Sequence, residues 1–243
     1  MSKTVNDPRD IFSEIINDYK GVFGDALKGI ILYGSAAGDE YRPGISDINF
    51  MIILDKEEIE NLDKAFSVVR KWFKRKVSIP LFLTEEYISA SLDVFPVEYF
   101  NFKRQYIPVF GKDVLKEINF DRELMRLQCE REVKGKLLLL REAFLESSGK
   151  GRILKDVINR STGAFSAIFE ALLYIRDKEG TGGKREIIRA TCESFGLDLT
   201  VFESLHEFKQ GKLKLRDQEI RDLFKRYLKE IAVLSRAVDT MGG

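Results

Sequence analysis

Cysteine, histidine and net charge are all scarce in this 243-residue chain. Its two cysteines, Cys129 and Cys192, both fall inside helical patterns. That usage predicts a reduced, cytoplasmic protein without disulfides. The one histidine, His206, excludes a multi-histidine metal site. It lies in an amphipathic run, where a surface or half-buried structural role is the ordinary one. Forty Lys and Arg against 39 Asp and Glu leave a net charge of +1, so no polyelectrolyte partner such as nucleic acid is implied. Long apolar runs are also missing. The densest, Ala164 to Ile175, is too short to span a bilayer. The opening MSKTVNDPRD holds no apolar signal core. There is no internal repeat and no low-complexity segment. What is present is 44% hydrophobic and 33% charged, which excludes a disordered chain. The length suits one large domain or two small ones.

The most informative stretch runs from Leu27 to Leu54, LKGIILYGSAAGDEYRPGISDINFMIIL. The apolar run Ile30-Ile31-Leu32-Tyr33 ends in Gly34-Ser35. A polar turn with glycine and proline follows. A second apolar run, Ile48 to Leu54, begins just after Asp47. The plain reading is two buried strands joined by a loop. The sharper reading is a phosphate site. Gly34 lets the backbone approach a phosphate with no Cβ in the way. Ser35 offers a hydroxyl and a backbone N–H. Asp47 and Asn49 share one strand face, because side chains alternate.

Around that stretch, Asp7-Pro8 marks a helix start, with Ile11, Phe12, Ile15, Ile16 and Tyr19 at helical spacing and Gly21 and Gly24 at its end. A helix is expected from Lys56 to Phe73, its apolar face carrying Ile59, Leu62, Phe66, Val69 and Phe73. The cations Lys71, Lys74, Arg75 and Lys76 are either a solvated C-terminal cap or a patch near phosphates. Val77 to Leu83 reads as a third strand. Thr84 caps a helix with Glu85 and Glu86 in its first turn. Pro96 to Phe102 alternates as a fourth strand, its proline at the start. A turn at 109–113 leads into a short helix ending near Ile118. From Asp121 onward no strand pattern remains. Helices are expected over 121–146, 153–176, 184–195, 201–209 and 216–238, with breaks at 147–151 and a flexible connection at 180–183. The reading is an α+β half over residues 1–119 and a helical bundle over 120–243.

The strand, Gly34-Ser35, an eleven-residue gap (36–46), Asp47-Ile48-Asn49 and a second strand resemble the signature of the nucleotidyltransferase superfamily, the fold of DNA polymerase beta. The order of an α+β half and then a helical bundle is similar to the aminoglycoside nucleotidyltransferases, whose acceptor binds between the two. The resemblance implies a nucleotidyltransferase-fold mixed sheet with flanking helices. It also implies transfer of a nucleoside monophosphate from a Mg²⁺–nucleoside triphosphate, ATP first among them, to a hydroxyl of a small molecule or protein. Two Mg²⁺ ions usually bridge the attacking and leaving oxygens in that chemistry. The implied roles are Asp47 and Glu98 as catalytic carboxylates, Asp47, Asn49 and Glu98 as metal ligands, and Gly34, Ser35 and Arg42 at the phosphates. Glu98 is carried over because PVEYFNF is similar to the later strand that bears the third carboxylate. Asp93, Glu85 and Glu86 rank below it. An exposed loop arginine is the ordinary alternative for Arg42. A homodimer would form through the helical half.

One position departs from the signature: the second carboxylate is an amide, Asn49. It still offers Mg²⁺ a neutral oxygen but removes one negative charge. A working transferase and a catalytically silent protein that binds nucleotide or a protein partner therefore both stay open. An open cleft with Glu98 beside Asp47 favours the first, and a cleft filled by apolar side chains the second.

Overall fold

The computed structural model describes residues 4–178 and 183–242, so the expected connection at 180–182 lies outside the described residues. The chain divides into two compact units, Met1–Phe120 and Asp121–Gly243.

In the first unit a 3-10 turn, Pro8–Ile11, is opened by Asp7, whose carboxylate accepts the Arg9 N–H at 2.9 Å. It leads into helix α1, Phe12–Phe23. Gly21 lies inside that helix, and Gly24 ends it. Strand β1 is Leu27–Tyr33 and β2 is Asn49–Leu54. The expected helix over 56–73 is shorter. It is reduced to turns, a 3-10 segment Leu62–Ala65 and helix α2, Phe66–Phe73. Its inward side is also different. Ala65 and Trp72 are buried, whereas Phe66 and Phe73 are exposed. Strand β3 is only Leu81–Leu83, preceded by a parallel bridge from Val77 to Ile48. Helix α3, Glu85–Ala90, starts where expected, and the Thr84 hydroxyl accepts the Tyr87 N–H at 3.0 Å.

The segment expected as a fourth strand is helix α4, Pro96–Arg104. Pro96 occupies the first helical turn, where its missing N–H is not needed. Glu98 sits in the positive first turn, and Lys103 and Arg104 in the negative last turn. The fourth strand is instead β4, Tyr106–Gly111. The short helix expected after it is absent among the described residues, where 112–118 runs through bends and turns.

The sheet order is β3-β2-β1-β4. β1 runs antiparallel to β2 and β4, and β2 runs parallel to β3. The unit is therefore α+β with a mixed four-stranded sheet and flanking helices. Both sheet faces are covered. On one face Ile30, Leu32, Phe50 and Ile52 pack with Ile15 and Tyr19 of α1 and Trp72 of α2. On the other, Ile31, Met51 and Ile53 pack with Ile88 of α3, Tyr99 of α4 and Leu115.

The basic cluster ties α2 to α1. Lys71 reaches Glu14 at 3.0 Å and Asp18 at 2.6 Å, and Arg75 reaches Glu14 at 2.6 Å. The Trp72 indole N–H donates to Asp18 at 2.9 Å, and the Arg75 guanidinium lies 4.5 Å from the Trp72 ring centre. Arg75 and then Lys71 hold the Glu14 carboxyl below its ordinary range. Trp72 packs on the sheet face opposite that of Met51 and Ile53, so Lys71 and Arg75 are structural anchors.

The second unit is helical. It contains α5, Arg122–Glu146, α6, Gly151–Ile175, α7, Lys184–Phe195, α8, Leu199–Lys209, and α9, Asp217–Asp239. α6 is the central helix and packs against the other four. Asp121 caps α5 by accepting the N–H groups of Glu123 and Leu124. Arg126, 8% exposed, is held by Glu123, Glu130 and the Val238 carbonyl. No described helix is long and apolar enough to cross a membrane.

Two outcomes follow from this packing. Asp18→Ala leaves the buried Trp72 N–H without its acceptor. It should destabilise the first unit by about 1–2 kcal/mol, read as a lower denaturant midpoint in the fluorescence of this single tryptophan. An unchanged midpoint would show that the bond adds nothing. Both cysteines are buried, and burial pushes the Cys192 thiol up to about 12. The folded protein should therefore not react with a disulfide-exchange reagent at pH 8, with both thiols appearing on unfolding.

Candidate functional site

The candidate site lies where β1 has to end. After Tyr33 the backbone enters the left-handed region at Gly34, with φ +74°, and winds into a single 3-10 turn, Gly34–Ala37. The Gly34 N–H donates to the Gln105 carbonyl at 3.0 Å, and the Gly38 N–H donates to the Ser35 carbonyl at 3.3 Å. A Cβ on Gly38 would fall 1.6 Å from Gln105 Nε2. The missing side chain therefore lets Gln105 lie across the turn. Gln105, the residue between α4 and β4, grips the turn by both backbone and side chain.

The sheet register sets Tyr33 opposite Asn49 on β2 and opposite Tyr106 on β4. The Asn49 amide nitrogen lies 3.6 Å from the place a Cβ on Gly34 would occupy. The two halves of the sequence signature are thus in contact. Ile48, between Asp47 and Asn49, is fully buried and packs with Phe50 and Ile52. Asp47 and Asn49 therefore point to the other face, that of Met51. Asp47 is exposed and Asn49 half-buried. Among the described residues, the Asp47 carboxylate, the Asn49 amide and the Ser35 hydroxyl make no hydrogen bond or ion pair. The Gly34 N–H is already committed, so the donors left at the turn are the Ser35 N–H and hydroxyl.

Aromatic side chains wall this face. The rings of Tyr33 and Phe102 are 4.7 Å apart, and those of Tyr99 and Phe102 are 5.8 Å apart. Burial raises the Tyr33 phenol above its ordinary range. The Tyr106 hydroxyl donates to Asp113 at 3.0 Å. Asp113 also accepts the N–H groups of Leu115 and Lys116, so its carboxylate is structural.

Glu98 does not stand on a strand beside Asp47. It lies in the first turn of α4 and is exposed. It shares a helix stripe with Phe102, four residues on. The strand that does neighbour β2 supplies no acid: Val77 pairs with Ile48 and Leu81 with Met51, and residues 77–83 read VSIPLFL. Glu85 is paired with Lys112. Glu86 and Asp93 are exposed. Arg42 is exposed too, and its backbone closes a turn on Ser46, whose hydroxyl accepts the Arg42 N–H at 3.1 Å.

Asp47 and Asn49 offer one carboxylate and one amide oxygen on a shared face. That hard-oxygen set fits a single Mg²⁺ that draws its remaining ligands from phosphates and water. No group of three His, Cys, Asp or Glu able to hold a metal occurs among the described residues, so the set does not match a two-metal centre. The residues that sequence reasoning missed are Gln105 and Tyr106. Both fell in a segment whose helix and strand were interchanged. The Lys103-Arg104 pair just before them signals a helix C-terminus.

Gly34→Ala tests the turn. The new Cβ would meet only the Asn49 amide nitrogen, at an ordinary contact distance of 3.6 Å, so its effect is conformational. The left-handed backbone should cost about 1–2 kcal/mol, measured by denaturant unfolding of the first unit. An unperturbed midpoint would mean that the turn relaxes freely.

No family model matches the chain, and no curated protein matches it. Among solved structures, it is similar to the spectinomycin adenyltransferase AAD(9) from Enterococcus faecialis, crystallised with ATP and spectinomycin. The similarity covers 89% of this chain and 99% of that one, at 14% identity and a TM-score of 0.47.

Proposed function

We propose that the first unit binds a Mg²⁺–nucleoside triphosphate, ATP first among them, and that the protein transfers its nucleoside monophosphate to a hydroxyl. The acceptor would be a small molecule or a protein side chain. One observation carries the reading. The Asp47 carboxylate, the Asn49 amide and the Ser35 hydroxyl are uncommitted and belong to the adjoining ends of the central strands β1 and β2, with Asn49 against Gly34. In the proposed reaction the acceptor oxygen attacks the α-phosphorus and the bond to the pyrophosphate oxygen breaks. The hydroxyl proton passes to a carboxylate, Asp47 or, from α4, Glu98. Ser35 binds the β- and γ-phosphates through its N–H and hydroxyl. Asp47 and Asn49, with Glu98 as the further candidate ligand, would hold Mg²⁺. When bound, the metal offsets phosphate charge and polarises the phosphoryl oxygens. Arg42 is the candidate for a further phosphate contact.

A second reading is a silent nucleotide binder. It is favoured by the neighbouring strand, which sets Leu81 against Met51 and has no acid from 77 to 83. Loss of one transition-state electrostatic group commonly lowers rates by about 10²–10³.

Calorimetry with Mg–ATP and the other Mg–nucleotides tests binding. Ser35→Ala with Asp47→Ala should abolish it. Unchanged affinity in a folded double variant would sink the site. Asn49→Asp then separates the two readings. It restores a second carboxylate at nearly constant volume and should tighten Mg²⁺ binding. If the protein is an enzyme, nucleotide turnover should rise by about tenfold or more. If it is a silent binder, metal affinity should rise without turnover. Unchanged Mg²⁺ affinity would return Asp47 to the role of a strand-end residue.

A further inference from the structure

The helical unit contains a cavity of about 270 Å³ bordered by α6, α7, α8 and α9. Its volume is near the lower edge of small-molecule sites, which span about 300–1,000 Å³. Four buried rings line it: Phe165, Phe169, Phe202 and Tyr227. They form a closed circuit of ring contacts. Phe165 and Phe169 are 5.9 Å apart, Phe169 and Phe202 5.9 Å, Phe202 and Tyr227 6.2 Å, and Tyr227 and Phe165 6.2 Å. Gly163 opens the wall, since a Cβ there would meet nothing within 4 Å.

Besides the aliphatic Ile188 and Leu205, the lining holds Lys184, His206, Lys209 and Gln210, with Thr162 and Ser166 on α6. No carboxylate is among the lining residues, and none pairs with Lys209 among the described residues. Lys209 is oriented by the Asn159 carbonyl at 3.1 Å and the Thr162 hydroxyl at 3.4 Å. An ammonium carries three donors, so one remains. His206 and Gln210 are joined at 2.7 Å through their side-chain nitrogens. Desolvation lowers the His206 pKa, and the nearby cations Arg185, Lys212 and Lys209 lower it further, against the opposing Glu207.

From the aromatic box, the cationic mouth and the gap left by Gly163, we propose that this cavity binds a small, flat aromatic anion. The ring system of the ligand stacks on or meets the edges of the four rings, which favour offset and edge contacts. Its carboxylate or similar oxyanion accepts a charge-assisted hydrogen bond from Lys209. The site lies wholly within the helical unit and is independent of the nucleotide proposal.

The test is calorimetry of the full chain with 2-naphthoate and with neutral 2-naphthamide. The wild type should bind the carboxylate about tenfold more tightly than the amide, the size of one charge-assisted bond. Lys209→Met should bring the two affinities together. Gly163→Phe fills the opening and should abolish binding of both, with the helical circular dichroism retained. Equal wild-type affinity for carboxylate and amide would overturn the proposal, as would no detectable binding of naphthoate at millimolar concentration. Undiminished naphthoate binding by folded Gly163→Phe would overturn it as well. The wild-type comparison needs no variant, so the proposal stays testable if a substitution impairs folding.

Discussion

From Ile30 to Leu32, β1 is buried on both faces and leaves no place for a polar side chain. Ile30 and Leu32 go to one core, Ile31 to the other. Its neighbours β2 and β4 take up its backbone hydrogen bonds on both edges. Polar chemistry in this layer is therefore confined to the strand ends. At the Tyr33 end three features meet for reasons of register alone. β1 turns at Gly34, β2 begins with Asn49 after Asp47, and β4 arrives from Gln105. The hydrogen bond from Gly34 N–H to the Gln105 carbonyl joins the turn to the connection between α4 and β4. Because of it the turn has a fixed shape without any ligand. That shape sets the Gly34 backbone, just before Ser35, against an amide from another strand.

The same bond also limits the site. A turn that binds anions through consecutive backbone N–H groups needs those groups free. Here the first is already used. In the proposed reading, recognition would fall on Ser35 and on side chains from β2, a smaller set than a glycine-rich phosphate loop presents. Mobile cations do not make up the difference. Lys71 and Arg75 are drawn to Glu14 and Asp18 on the far sheet face. There they clamp Trp72 between two helices.

How much of this could be read from residue order alone varies with the kind of signal. Strand β1, the Gly34-Ser35 turn and the face shared by Asp47 and Asn49 were legible, since apolar runs and strict alternation are local properties. The helices of the second unit were legible for the same reason. Asp121 and Gly196 mark ends that local hydrogen bonding enforces, Asp121 by accepting the N–H groups of Glu123 and Leu124 and Gly196 by donating to the Cys192 carbonyl. Residues 96–111 were not. PVEYFNF alternates like a strand, and four of its seven residues are buried, so periodicity could not separate helix from strand. The deciding information was the charge at the helix ends, Glu98 against Lys103 and Arg104. β4 was hidden by Pro108, which an interior strand would exclude. β4 is an edge strand, and its pairing with β1 shifts register beside that proline, where a missing N–H is tolerated. With helix and strand interchanged, the alternating pattern places Glu98 on the sheet and gives Gln105 no role.

Asn49 is the residue on which the proposed chemistry turns, and its neighbours give a reason for an amide to be stable there. A carboxylate at 49 would stand two residues from Asp47 on one strand face. Two like charges that close raise each other's pKa and weaken the unliganded fold. An amide removes that repulsion, and its nitrogen reaches the Gly34 turn while its oxygen remains an acceptor. The arrangement is stable with no cation present, whereas a pair of carboxylates would depend on one. Stability without metal and strong metal binding are opposed demands on the same two positions. In this chain the first has the advantage. The apolar neighbour strand points the same way, since it sets Leu81 beside Met51 and offers no further charged ligand. In the proposed reading, a nucleotide would bring most of the site's charge with it, and its phosphates would supply the metal ligands that Asp47 and Asn49 do not.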